Sequence, residues 1–89
     1  MKYLEELRDE IDDVDKEIVK LFEKRMDIIL KVAKYKKENN IPILNSLREE
    51  EVINKNTKYL KNKELQNYLR ELYVKLMNIS KDYQSFHLN

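Results

Sequence analysis

Read with alternating three- and four-residue spacing, the chain carries apolar residues at Leu4, Leu7, Ile11, Val14, Ile18, Leu21, Ile28, Val32 and Tyr35, interrupted only by Arg25. This is the repeat of a helix that packs along its whole length against another helix. No breaker precedes Asn39-Asn40-Ile41-Pro42, and Pro42 biases Ile41 toward extended backbone, so the pattern predicts a first helix over 2–39. Ser46 and Glu49 have capping-box spacing and open a predicted second helix over 46–60. Its apolar face is thin: Leu47, Val52, Ile53 and Leu60. Asn62 is a suitable N-cap for a third helix over 63–84, which bears a second seam of Leu65, Leu69, Leu72, Leu76, Ile79 and Tyr83. Ser85 to Asn89 are expected to fray.

Composition supports the helical reading. The 89 residues contain no Gly, no Trp, one Pro and 39% charged side chains, which suits long helices and not a sheet. The expected class is therefore all-α, in a single domain spanning 1–89. Eighteen basic residues against seventeen acidic ones leave no global field, and acids interleave with bases throughout, so nucleic acid is not an expected partner. The absence of Cys excludes disulfide and thiol chemistry and fits a reducing cytoplasm. Met1 to Glu10 hold no apolar signal core, and no segment approaches the roughly 20 apolar residues of a membrane span. A cytoplasmic protein without a membrane anchor is the expectation.

Length adds a geometric demand. A helix of roughly 36 residues is about 54 Å long, whereas a compact globule of this chain length is only about 30 Å across. The rest of the chain is too short to cover the first helix, yet the seam stays apolar from end to end. A second copy related by a two-fold axis answers this most simply, so an intertwined homodimer is expected. A monomer with a kinked first helix would leave part of the seam unused.

Arg25 then poses the chemical question. An unpaired buried guanidinium costs several kcal/mol, so Arg25 requires an anion. Two explanations remain open: an Asp or Glu that sets coiled-coil register, or a ligand. Lys36 lies three turns beyond Arg25 on nearly the same face, about 16 Å away, where the pair would clamp the ends of a small molecule. Arg8 is about 25 Å away in the other direction and meets that region only from a second subunit. Tyr73, Met77, Ser80 and Gln84 form a stripe beside the third helix's seam. Taken singly, Lys36, Arg48, Ser80 and Gln84 also read as solvated polar positions, Glu49 as a capping residue, and His87 as an idle tail histidine. There is no Gly-rich phosphate loop, no metal-ligand spacing, and no His in the body of the chain. An enzyme built from these residues would work by positioning and electrostatics.

Several spaced motifs carry a resemblance. They are L-x-x-L-R-x-x-I-D-x-x-D from Leu4 to Asp15, E-x-R at Glu23 to Arg25, and V-A-K-Y-K from Val32 to Lys36. Pro42 followed by Arg48-Glu49, and a closing Ser80 to Gln84, complete the set. Together they resemble the all-α (type II) class of chorismate mutase over nearly the whole chain. The resemblance implies an intertwined dimer of three-helix chains that rearranges chorismate to prephenate, without cofactor or metal, on the route to phenylalanine and tyrosine. It further implies that Arg25 and the partner's Arg8 each hold a substrate carboxylate. Lys36 and Gln84 would donate to the ether oxygen, and Lys36 to a carboxylate as well. Glu49 would take the ring hydroxyl with Arg48 beside it, Ser80 would meet a carboxylate, and Val32, Val52 and Met77 would form apolar wall. One departure is Asn45, where bacterial members usually carry Asp; an amide still bonds the hydroxyl but removes a negative charge. The chain after Gln84 suggests no regulatory domain, so a free-standing enzyme is expected. An isochorismate pyruvate-lyase on the same fold and a non-catalytic helical dimerisation module are the alternatives.

Overall fold

The computed structural model describes residues 1–88 and is all-helical there, with no strand among the described residues. The elements are α1 (Lys2–Glu38), α2 (Ser46–Thr57), a single 3-10 turn (Lys63–Leu65) and α3 (Gln66–Leu88). α1 is one uninterrupted helix. Arg25 lies opposite Ser80 and Lys37 opposite Leu88, so α1 and α3 run parallel. Glu49 meets Lys81 while Asn54 meets Arg70, so α2 runs antiparallel to α3.

Helix ends explain where the boundaries differ from those predicted. At the end of α1, Ile41 N–H donates to the Lys36 carbonyl at 2.8 Å and Asn40 N–H to the Lys37 carbonyl at 3.3 Å. This double closure is a Schellman motif, which needs a left-handed residue between helix and loop. Asn40 supplies it at φ 57°, a conformation that Asn tolerates better than most residues. The capping box does not form. Asn45 is the N-cap of α2, accepting the Arg48 N–H at 3.0 Å, and Ser46 becomes the first helical residue. Asn caps as well as Ser does, and Asn45 holds the extended backbone that a cap requires. Glu49 is thereby released to reach α3. α2 stops at Thr57 instead of 60, where Tyr59 and Leu60 N–H groups close tighter turns onto the Asn56 and Thr57 carbonyls.

Asn62 does act as a cap, but for the short 3-10 turn that leads into α3. α3 then continues to Leu88, past the predicted end at 84. His87 packs edge-on against Tyr83, with ring centroids 4.6 Å apart, and the Leu88 carbonyl accepts from Lys37 Nζ at 3.4 Å. The segment expected to fray is helical as far as Leu88; Asn89 lies outside the described residues.

The most deeply buried faces are offset from the predicted seams, of which Leu69, Leu76 and Tyr83 on α3 are half-buried. On α1, Met26 and Ala33 are buried, with Ile29 and Lys36 half-buried on the same side. That stripe lies about a quarter turn from the seam. The seam itself stays open, with Ile18 56% and Leu21 63% exposed. On α3 the buried residues are Met77, Ser80 and Gln84, while Leu65, Leu72 and Ile79 of the seam are exposed. Leu47, assigned to the apolar face of α2, is 85% exposed. The apolar core is correspondingly small.

The molecule is elongated, 56 Å along its longest axis with a radius of gyration of 16.4 Å, against about 12 Å for a compact chain of this length. Every residue from Met1 to Lys24 is exposed. No helix among the described residues is long and apolar enough to cross a membrane.

Candidate active site

Parallel packing of α1 on α3 brings Arg25 against Ser80. Arg25 Nη1 donates to Ser80 Oγ at 2.6 Å, and Ser80 Oγ donates in turn to the Leu76 carbonyl at 2.8 Å. The hydroxyl has one proton, and that proton is committed to the helix, so Arg25 meets a lone pair. Among the described residues the ion pairs are Lys20–Glu17, Arg48–Glu51 and Lys81–Glu49, and Arg25 takes part in none of them. The register-setting carboxylate that would explain a buried guanidinium structurally is not among its contacts.

One turn along, Gln84 is buried at 5% exposure. Its Nε2 donates to the Ser80 carbonyl at 3.2 Å, while its buried Oε1 has no hydrogen-bond partner. A buried orphan acceptor costs about 1–3 kcal/mol. Its amide nitrogen keeps one further proton.

Arg25, Asn45, Glu49, Met77, Ser80 and Gln84 all line one open cleft of about 360 Å³, where α1, the 39–45 loop, α2 and α3 meet. Arg25 also lines a second cleft of about 640 Å³ with Arg48 and Val52, toward the other end of α2. Eight of the eleven residues singled out in the sequence therefore border these two adjoining spaces: Arg25, Asn45, Arg48, Glu49, Val52, Met77, Ser80 and Gln84.

The other three stand apart. Lys36 is half-buried in the last turn of α1, with Nζ donating to the Ile43 carbonyl at 3.1 Å, and Ile43 lines the first cleft. Its own carbonyl anchors the Schellman closure, so loop and lysine are fixed together. Val32 is exposed on the open seam. Arg8 is exposed near the start of α1 and borders neither cleft.

Two positions differ from the simplest expectation. Asn45 faces the cleft, but its Oδ1 is occupied by the Arg48 N–H, which leaves the amide nitrogen as its free polar group. Arg48 is exposed, with its guanidinium drawn 2.5 Å from Glu51 Oε1. Sequence reasoning also missed Lys81, which lines the first cleft and holds Glu49 Oε1 at 2.9 Å. No spacing rule links residues 49 and 81, because their meeting depends on the antiparallel register of α2 on α3. Tyr73, whose hydroxyl donates to Asn56 Oδ1 at 3.4 Å, was visible as the first member of the buried α3 stripe.

A family model described as chorismate mutase type II matches residues 7–85. The T-protein of Haemophilus influenzae is 41% identical over 49 residues, 55% of this chain and 13% of that protein. The bifunctional chorismate mutase/prephenate dehydratase of Buchnera aphidicola is 44% identical over 48 residues, 54% of this chain and 12% of that protein. The chain thus spans about one eighth of the length of the curated relatives it matches. No solved structure matches the chain significantly. The match covers most of the chain and the described residues fold as three helices without a strand: the chain belongs to the chorismate mutase type II family.

Proposed function

We propose that this chain is a chorismate mutase that converts chorismate to prephenate in a cleft shared between two copies. The observation that carries the reading is Arg25, a half-buried guanidinium seated on a hydroxyl, without a carboxylate partner among the described residues, at the junction of two clefts. Chorismate bears two carboxylates, and a forked guanidinium fixes a carboxylate in both distance and orientation.

The rearrangement is pericyclic: the ether C–O bond breaks as a C–C bond forms, with no proton transferred and no group lost. Rate then comes from holding the reactive conformer and stabilising charge that grows on the ether oxygen. In this reading Arg25 holds one carboxylate, and Lys36 and the free proton of Gln84 Nε2 converge on the ether oxygen. Lys36 would turn from the Ile43 carbonyl to reach it, and donors held there are stronger toward the transition state than toward the ground state. Glu49 accepts the ring hydroxyl, Asn45 reaches it with its amide nitrogen, and Arg48 covers the ring side after leaving Glu51. Ser80 orients Arg25; its hydroxyl donates to a carboxylate only after rotating off the Leu76 carbonyl. Met77, Val52 and Val32 supply apolar wall.

Besides Arg25, the cations lining the two clefts are Lys81, which is paired with Glu49, Arg48, which is paired with Glu51, and Lys55; for the second carboxylate the candidate is the partner's Arg8. Support for a partner comes from the open groove between α1 and α3, lined by Ile18, Leu21, Phe22, Leu72, Leu76 and Ile79. Each fully buried Ile, Leu or Phe contributes about 1.5–3 kcal/mol, and the exposed seam continues N-terminally to Leu4. Arg25 borders this groove as well as the clefts, so whatever fills the groove closes over the site. The test is loss of chorismate absorbance with purified protein, without added metal or cofactor, beside a parallel assay on isochorismate. Prephenate from the first and no pyruvate from the second is expected; the reverse pattern would overturn the reading.

A further inference from the structure

We infer that Lys81 is a positioning residue that holds Glu49 for the substrate hydroxyl and offsets its charge toward a dianionic substrate, an inference that rests on the proposed mutase reading. Lys81 Nζ lies 2.9 Å from Glu49 Oε1, and both side chains line the cleft that contains Arg25 and Gln84. Each is less than a third exposed, whereas the other two ion pairs, Lys20–Glu17 and Arg48–Glu51, lie at more than half exposure within single helices. The Glu49–Lys81 pair instead joins α2 to α3 across the site.

Glu49 presents a specific difficulty. It is the only acidic side chain lining the first cleft, and a substrate with two carboxylates must approach it. A free carboxylate there would repel the ligand and would have several rotamers. Lys81 removes both problems. It occupies Oε1, leaving Oε2 to accept a hydroxyl, and its charge compensates that of Glu49. Asn45, the neighbouring polar group, is uncharged and engaged as a helix cap, so it does not substitute for that compensation.

The experiment compares Lys81→Gln and Lys81→Arg, each alone and in a Glu49→Gln background, by steady-state chorismate kinetics and thermal unfolding. Position 81 is partly exposed, so Lys81→Gln is expected to fold with a nearly unchanged melting temperature. Its KM should rise about tenfold, the loss of one charge-assisted hydrogen bond's worth of ordering, with kcat far less affected. Lys81→Arg should restore most of the affinity. With Glu49→Gln already present, Lys81→Gln should add less than a twofold change, because the effect passes through Glu49. An unchanged KM in Lys81→Gln would overturn the inference. So would an equal rise in the Glu49→Gln background, which would put Lys81 directly on the substrate. A wild-type protein inactive on chorismate would overturn the mutase reading itself, whereas an active wild type indifferent to Lys81 would overturn only this inference.

Discussion

Arg25 and Ser80 are joined by a hydrogen bond whose direction is fixed. The guanidinium donates at 2.6 Å to a hydroxyl whose only proton is already given to Leu76, so Ser80 serves Arg25 as an acceptor. A half-buried cation is thus aimed by a neutral group, and its charge remains available to a ligand.

Ser80→Ala should therefore impair binding more than turnover. Removing the acceptor leaves Arg25 with more rotamers and no fixed aim, a loss of about 1.5–3 kcal/mol for one bond to a charged group. Steady-state kinetics should give a KM raised roughly tenfold, with a smaller fall in kcat. A variant with wild-type KM would show that Arg25 needs no such support.

Lys36→Ala removes a donor that the mechanism assigns to the ether oxygen. Loss of one preorganised donor of this kind costs about 2.7–4 kcal/mol, or 10²–10³ in kcat. The substitution also frees the Ile43 carbonyl, but that bond is only partly buried and the Schellman closure uses backbone groups. Helicity and oligomeric state should persist while turnover falls. A variant with near-full turnover would remove Lys36 from the mechanism.

Gln84→Glu tests the other donor through pH. An ionised carboxylate accepts hydrogen bonds and donates none, whereas the protonated acid donates. Wild-type turnover should be nearly flat from pH 5 to 8 in the sense that no proton moves in the reaction, while Gln84→Glu should be active only as pH falls toward the protonated form. Parallel pH profiles of the two proteins would contradict the assigned role.

The sequence made the helices and the long seam legible because periodicity is local. It also exposed Arg25, since one charge in a nine-residue apolar series stands out at any register. What it left unreadable was which face of each helix meets its own chain. α1 carries two useful faces, the open Ile18–Leu21 seam and the inner Met26–Ala33 stripe, and only the former is rich enough in large apolar residues to be noticed. Ser80 and Gln84 look like surface residues in sequence, yet they are 3% and 5% exposed. Their burial follows from the parallel register of α3 on α1, which no local signal encodes. Asn45 displaced Ser46 as the cap of α2 because two adjacent residues were both competent, and backbone geometry chose between them. That choice freed Glu49 for Lys81, a pairing visible only in three dimensions.

The open seam predicts concentration-dependent stability. If two copies bury it, the melting temperature should climb with protein concentration, since association favours the folded state by mass action. Ile18→Glu would place a charge in that interface and should yield monomers by sedimentation, with a lower melting temperature and little chorismate turnover. A monomeric wild type at micromolar concentration, still fully active, would exclude the shared site.

Complementation gives the sharpest test of that sharing. Arg8 and Lys36 lie twenty-eight positions apart on one rigid helix, about 42 Å along its axis, so one chain does not bring both to a single small molecule. In a two-fold dimer each site would take Lys36 from one chain and Arg8 from the other. Arg8→Ala and Lys36→Ala homodimers should each be nearly inactive, since every site lacks one cation. Unfolded together and refolded at equal concentration, half of the dimers should be mixed. Each mixed dimer has one site with both cations and one with neither, so about a quarter of wild-type activity should return. The same variants refolded separately and combined without exchange should stay inactive. Equal activity in the two preparations would argue against a site shared between subunits.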